Sequence, residues 1–415
     1  MGPRVVALLA VACGSAVANV YFAQPLLPAL GRDLAIGSGA LGAVVTVTQV
    51  GYGLGLFLLV PLGDVVDRRR LAVAQTLALA AALAVVGAAP DAAVLLAGVA
   101  AVGLLAVVAQ TLVAFAAALT APERRGRVVG LVTGGIVTGI LLARAVAGVL
   151  ADLAGWRAVY LASAAVTGVL AFALHRVLPS QELPPAPGYG RLLRSTVALF
   201  VREPALRLRG VLALLVFAAF STLWSCVALP LSARGLSPAA IGAFGLAGAA
   251  GALAAPLAGR LGDRGRAAWT TSAGLVLLTA SWLPLAFTGS SLWALAAGVV
   301  MLDFAVQAVH VTSQSVIYAA RPGARVIGGY MIFYSAGSAS GALAATALYA
   351  AAGWGAVCAL GAGLSAAALA VWAATACAPR RPSTARPAGA ARRTPPDASA
   401  AATPPPAPPA PGRAA

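Results

Sequence analysis

Runs of some twenty apolar residues recur along the chain from Val5 to Ala376. At about 1.5 Å of rise per helical residue, each is long enough to cross about 30 Å of hydrocarbon. Twelve such windows can be read: 5–30, 40–62, 71–89, 92–119, 128–151, 156–178, 210–231, 240–258, 267–288, 292–319, 326–350 and 354–376. Barrel strands are shorter and alternate apolar with polar residues, whereas Ala, Leu, Val and Gly run continuously here. The pattern therefore predicts an all-α integral membrane protein with twelve transmembrane helices. Composition agrees, since 61% of the 415 residues are hydrophobic and 9% charged, far from the quarter charged that is usual in soluble domains. Arg4, the apolar run to Cys13 and the small residues Ala16-Val17-Ala18 have the form of a signal peptide. The pattern continues through Val20-Tyr21-Phe22 to Leu30, however, which favours an intact first span.

The formal charge of +17 does not point to nucleic acid, because the basic residues, all of them Arg, are placed by topology. With the amino terminus cytoplasmic, the inner loops hold Arg68, Arg69, Arg70, Arg124, Arg125, Arg127, Arg260, Arg264, Arg266, Arg321 and Arg325. The outer loops hold only Arg32, Arg157 and Arg234. Positive-inside asymmetry then predicts a multi-pass protein of the cell's inner membrane with both termini cytoplasmic, its arginines meeting anionic headgroups of the lipid bilayer.

Residues 179–209 form the longest internal hydrophilic stretch, with Pro184, Pro185 and Pro187. They read as a cytoplasmic linker between an amino-terminal six-helix bundle (1–178) and a carboxy-terminal one (210–376). Leu192, Leu193, Leu199 and Phe200 interleave with Arg191, Arg194 and Arg202, the pattern either of a basic amphipathic helix on the membrane surface or of a solvated linker helix. Residues 377–415, rich in Pro, Ala and Arg, cannot build a core and are expected to be a disordered cytoplasmic tail.

Internal repetition supports the two bundles. Gly63-Asp64-Val65-Val66-Asp67-Arg68-Arg69-Arg70 follows the second span and Gly259-Arg260-Leu261-Gly262-Asp263-Arg264-Gly265-Arg266 the eighth, 196 residues later. Parallel duplication of a six-helix unit puts a site at the interface of the copies, near the membrane midplane. At these loops the chain resembles the major facilitator superfamily of secondary transporters, whose signature is Gly-x-Leu-x-Asp-Arg-x-Gly-Arg-Arg. Gly63, Asp67 and Arg68 match, followed by Arg69 and Arg70, although the second glycine is absent; the later copy matches at Gly259, Leu261, Asp263, Arg264, Gly265 and Arg266. The resemblance implies that these residues form a cytoplasmic latch, closed when the cavity faces outward. Setting topology alone is the competing role.

Glycines concentrate in spans 2 (Gly51, Gly53, Gly55), 5 (Gly130, Gly134, Gly135, Gly139), 8 (Gly242, Gly245, Gly248, Gly251) and 11 (Gly328, Gly329, Gly337, Gly341). Small residues let helices approach closely and slide, and the resemblance implies that these four spans meet across the two bundles. Span 5 also looks like the glycine-rich signature of antiporter members, without its Gly-Pro pair.

Polar groups within hydrocarbon are costly and mark function. On span 10, Asp303, Gln307, His310 and Gln314 are spaced to share one helical face. The resemblance implies proton-coupled transport with Asp303 as carrier and His310 as relay or substrate contact, unless the stripe only seals a helix interface. Arg144 on span 5 either binds an anionic substrate group, pairs with Asp303, Asp152 or Asp33, or snorkels outward. Further cavity candidates are Asn19 and Gln24 on span 1, Gln49 and Tyr52 on span 2, Gln110 on span 4, Trp224 on span 7 and Tyr334 on span 11. The resemblance implies that spans 1, 4, 7 and 10 line the cavity, so that Gln110, Trp224 and His310 converge there.

Cys13, Cys226, Cys358 and Cys377 are isolated, so no disulfide framework or metal site is expected. With no Lys there is no phosphate-binding loop, and neither ATP use nor another cofactor is expected. His310 lies in a span without a nucleophile elbow, which argues against an enzyme. The expectation is a monomeric secondary transporter that exports a small organic molecule or drug in exchange for protons. Proton-coupled uptake, or a sensor on the same fold, is the alternative.

Overall fold

The computed structural model describes residues 2–180, 188–320 and 324–377. The expected tail, most of the proline-rich part of the linker and Arg321 therefore lie outside the described residues. Among the described residues the chain is helical with no strand.

Nine helical segments there are long and apolar enough to cross a membrane. Two of them, Pro122–Val177 and Ala324–Cys377, hold 56 and 54 residues, about 80 Å of helix if straight and far more than one crossing requires. Each turns back at a glycine in the left-handed region, Gly155 (φ 81°) and Gly353 (φ 71°), where a side chain would be strained. Each is thus two spans, 5 with 6 and 11 with 12. Span 1 is Pro3–Tyr21 continued by Ala23–Asp33, span 2 Gly42–Leu62, span 3 Arg68–Gly87, and span 4 Ala92–Ala106 with Val108–Ala118. Span 7 is Pro204–Trp224 with Ala228–Ala233, span 8 Pro238–Ala247 with Ala249–Asp263, span 9 Ala267–Ala280 with Trp282–Ala286, and span 10 Leu292–Ala320. Twelve crossings result, as the apolar windows predict.

The helix ends follow local chemistry. Pro3, Pro122, Pro204 and Pro238 stand at first-turn positions, where their missing N–H costs nothing. Asp67, Asp91 and Ser237 cap spans 3, 4 and 8, accepting from the backbone N–H groups of Arg69, Val94 and Ala240. Breaks inside the membrane arise where Pro25, Pro230 and Pro284 each remove a hydrogen bond to the carbonyl four residues earlier, interrupting spans 1, 7 and 9.

The two six-span halves meet most closely toward the side opposite the arginine-rich loops. There the Gly42 N–H donates to Thr346 Oγ1 (3.1 Å), Thr46 Oγ1 to the Ala339 carbonyl (2.8 Å) and the Ala239 N–H to Asp152 Oδ2 (3.1 Å). A methyl added at Gly148 or Gly242 would overlap a backbone carbonyl of the other half, that of Pro238 or Arg144. Toward the arginine-rich side, the positions Gly126, Gly130 and Gly134 on span 5 and Gly259 and Gly262 on span 8 face open space. Spans 5 and 8 therefore clasp at one end and diverge at the other.

The glycine reading needs correcting in one respect. Gly51 and Gly55 seat span 4, Gly135 and Gly139 span 1, and Gly337 and Gly341 span 7, all within their own halves. Of the glycines read as a sliding seam, only Gly53, Gly242 and Gly245 meet the opposite half, because most of each helix's surface packs against its nearest neighbours. The linker helix, Tyr189–Arg202, packs one side on protein and leaves Val197 and Val201 exposed. Its buried Leu192, Thr196 and Leu199 face protein, Tyr189 donates to the Leu58 carbonyl on span 2 (2.7 Å), and Phe200 packs edge-on against Phe333 on span 11.

Candidate functional site

The broken helices aim their polar residues at one place. Span 1 breaks after Tyr21, exposing Tyr21 and Gln24 to the seam; span 7 stops at Trp224; span 8 changes direction at Gly248. Between them a cavity of about 90 Å³ is walled by residues including Tyr21, Arg144, Phe217, Phe220, Asp303 and His310, with Gln307 and Tyr334 also on its surface.

Two opposite charges face this cavity from different halves. Arg144 on span 5 is 3% exposed and donates from Nε to Gln24 Oε1 (2.6 Å). Its guanidinium stands over the Trp224 ring at 3.9 Å and within 6 Å of the rings of Tyr21 and Phe220, an arrangement in which the ring quadrupoles stabilise a cation. Asp303 on span 10 is 6% exposed and accepts from the Trp224 indole N–H (3.1 Å). The two side chains form no ion pair within 4.0 Å among the described residues; Trp224 links them, its face to the cation and its edge to the carboxylate. Span 8 makes room for both. A methyl at Gly245 would come within 2.8 Å of the Arg144 side chain, and one at Gly248 would overlap the Asp303 carboxylate.

A second polar group sits beside the first. Tyr21 and Tyr334 share a hydrogen bond across the halves (2.6 Å), and His310 Nδ1 bonds the Tyr330 hydroxyl (3.0 Å). The His310 ring meets Phe217 edge-on at 5.1 Å.

Arg144, Asp303, Gln307, His310 and Tyr334 thus line one cavity, with Gln24 and Trp224 bonded to its charges. Arg144 pairs with neither Asp152, which accepts from the Ala239 N–H, nor Asp33, which takes Trp156 Nε1 and Arg157. Five candidates do not join them. Asn19 accepts from Ser163 Oγ (2.6 Å) on span 6, within its own half. Gln49 is buried but lines no part of the cavity. Gln110 faces a separate cavity nearer the arginine-rich loops, with Tyr52 beside it. Gln314 turns to the Met331 sulfur (3.8 Å), a turn beyond the cavity. The reading that Gln110 converges with Trp224 and His310 is therefore corrected. Span 4 breaks at Val107 while span 10 continues unbroken, so equal sequence offset does not give equal orientation.

The structure also brings in Phe217 and Phe220, which sequence polarity does not single out, and gives Gly245 and Gly248, read in the sequence as part of a sliding seam, the role of seating the two charged side chains.

In the loop after span 2, Arg68 bonds Asp64 (3.2 Å) and the Gly63 carbonyl (3.0 Å), Arg69 reaches the His175 carbonyl (2.6 Å), and Asp67 caps its own helix. All these bonds stay within one half, and Arg70 is exposed. In the later copy Gly265 takes φ 73° and Arg264 and Arg266 are exposed, while the side chain of Asp263 lies outside the described residues. No metal-binding group of His, Cys, Asp or Glu occurs among the described residues.

Helices broken around an internal site, held between duplicated halves whose spans 5 and 8 clasp at one end and diverge at the other, fit a secondary transporter. The chain belongs to the Major Facilitator Superfamily, whose family model matches residues 9–320 and 211–411. It is 43% identical to the uncharacterized transporter YgaY of Escherichia coli over 376 residues, 90% of this chain and 95% of that one. It is 30% identical to the chloramphenicol resistance protein of Streptomyces lividans over 286 residues, 67% of this chain and 71% of the relative. The same fold is seen in a bacterial homolog of the human lysosomal transporter Spinster, solved in an inward-facing and occupied conformation. That match has a TM-score of 0.74 at 16% identity and covers 91% of this chain and 97% of the other.

Proposed function

We propose that this transporter exports a small organic molecule across the inner membrane in exchange for protons, with Asp303 carrying the proton. The observation that carries the reading is the buried Asp303 carboxylate on the cavity wall, held by one indole N–H and no cation within 4.0 Å. A carboxyl so placed can change protonation without breaking an ion pair, and its position at the seam lets that change favour one arrangement of the halves over the other. His310, with its Tyr330 partner, serves as relay or substrate contact. Export is supported by the likeness to the chloramphenicol resistance protein.

The positive-inside rule makes the arginine-rich side cytoplasmic, together with both termini. The divergence of spans 5 and 8 toward that side then corresponds to an inward-open state of a monomer. The division into bundles at 1–178 and 210–376, a linker between them and a tail from 377 is part of the same reading. Proton-coupled uptake is the second reading, favoured by the free donors of Arg144, since an anion and a proton entering together carry no net charge.

The test is proton flux in inside-out vesicles with an acid interior, with lipophilic cations, phenicols and metabolites added in turn to wild type and Asp303→Asn. Proton release that depends on one compound and disappears in the variant is the expected result. Wild-type coupling in the variant would remove Asp303 from the role, and a gradient that no compound collapses would remove export by exchange.

A further inference from the structure

We infer that Arg144 is the anchor for an anionic group of the substrate, so that the preferred solutes are small organic acids with an apolar or aromatic body. The inference rests on the central cavity being the transport site and names the class of solute that fits it.

Arg144 has five N–H donors in a rigid fork, and one of its nitrogens, Nε, is used, by Gln24. Nη2 is buried with no hydrogen-bond partner, and Nη1 donates to nothing among the described residues. A buried guanidinium with open donors is a costly arrangement for a protein to keep. No carboxylate forms an ion pair with it within 4.0 Å among the described residues. Asp303 is engaged by Trp224 and packs against Gly248, while Asp33 and Asp152 are bonded elsewhere. The charge is held instead by the faces of Trp224, Tyr21 and Phe220, which stabilise a cation without occupying its in-plane donors. Those donors match the two oxygens of a carboxylate or a similar planar anion.

The rest of the wall describes the body of the solute. Val137, Ile140, Leu141, Phe217 and Val306 surround the cavity with apolar surface. The charged and titratable groups around the guanidinium are Asp303 and His310 on span 10, Tyr21 on span 1 and Tyr334 on span 11. Asp303, the single carboxylate on the wall, weakens an incoming anion when ionised. An anion therefore binds more tightly when Asp303 is neutral, the sign of coupling that belongs to the second reading, uptake with a proton, and not to exchange.

The test uses three probes with one body and three charges, benzoate, benzamide and benzylammonium, titrated calorimetrically into the full-length protein in detergent with no proton gradient. Benzoate should bind about tenfold more tightly than benzamide, with benzylammonium weakest. Arg144→Gln should erase the preference for benzoate over benzamide, Arg144→Lys should keep part of it, and Asp303→Asn should strengthen benzoate binding. Thermal melting of each variant checks that it is folded. Equal binding of the three probes, or binding of none, overturns the inference. Preference for benzylammonium overturns it too and makes Asp303 the substrate anchor. Because no gradient is applied, failure here is separate from failure of proton coupling, which the vesicle assay reads.

Discussion

The seam is built twice from one backbone plan and filled with different chemistry. In one copy Gly42 of span 2 lies against the carbonyl of Ala342 on span 11; in the other Gly242 of span 8 lies against the carbonyl of Arg144 on span 5. Gly242 follows Gly42 by 200 residues and Ala342 follows Arg144 by 198, the same spacing that separates the turns at Gly155 and Gly353. The packing is thus conserved by duplication, yet the residue carrying the cation in one half is a plain alanine in the other. The anion shows the reverse. Asp303 on span 10 corresponds at an offset of 200 to Gly103 on span 4, where a methyl would overlap the carbonyl of Thr48. Each half therefore supplies one charge and leaves the matching place for packing. On the proposed function, the symmetric part of the scaffold would serve the motion and the asymmetric charges the binding.

If the duplicated glycines are the hinge of that scaffold, a bulky residue at either should damage it most. Gly242→Leu and Gly42→Leu are expected to lower transport by roughly tenfold or more, because the side chain must displace a backbone carbonyl of the opposite half. Both should also force the clasped ends apart. Spin labels at Leu131 and Leu257, both exposed on the diverging lengths of spans 5 and 8, read this as a shorter distance across the arginine-rich side. A loss at Gly242 with none at Gly42 would show that only the charged copy of the seam moves.

Much of this arrangement is legible in the sequence, for reasons that differ from part to part. Twelve spans are legible because apolarity sustained over twenty residues has few other meanings, and the turns at Gly155 and Gly353 fall in the gaps between predicted windows. Arg144, Asp303, Gln307 and His310 are legible because ionisable or amide groups are rare in hydrocarbon. Polarity does not say which way a helix faces, and so Asn19, Gln49 and Gln110 look alike in sequence to Gln24 while pointing elsewhere. Helix breaks decide that orientation. The break at Val107 has no proline to announce it, whereas the break before Pro25 does.

The two loops that share the Asp-Arg motif sharpen the comparison at smaller amplitude. Asp67 caps span 3 through Oδ1, a role that asparagine fills about as well. Asp67→Asn therefore keeps the helix end while removing the charge. Turnover should fall severalfold with substrate affinity unchanged, measured as initial flux against substrate concentration, if the loop latches the halves in the opposite state. Unchanged turnover would leave the motif with topology alone.

The smallest expected effect lies where the duplicated halves differ by a single methyl. The turn after span 1 carries Ala35 at φ 51°, and the turn after span 7 carries Gly235 at φ 81°. They are 200 residues apart and close equivalent turns, with the Ile36 N–H bonded to the Gly31 carbonyl and the Leu236 N–H to the Leu231 carbonyl. The left-handed region costs an alanine about 1–2 kcal/mol, part of which glycine gives back through the greater freedom of its unfolded chain. Ala35→Gly should therefore stabilise by up to about 1 kcal/mol, and Gly235→Ala should destabilise by a similar amount. Both should leave transport unchanged and are read from thermal melting in detergent. If Ala35→Gly instead lowers stability, neighbouring packing is holding Ala35 in place, and the two turns are alike in backbone path but not in what maintains them.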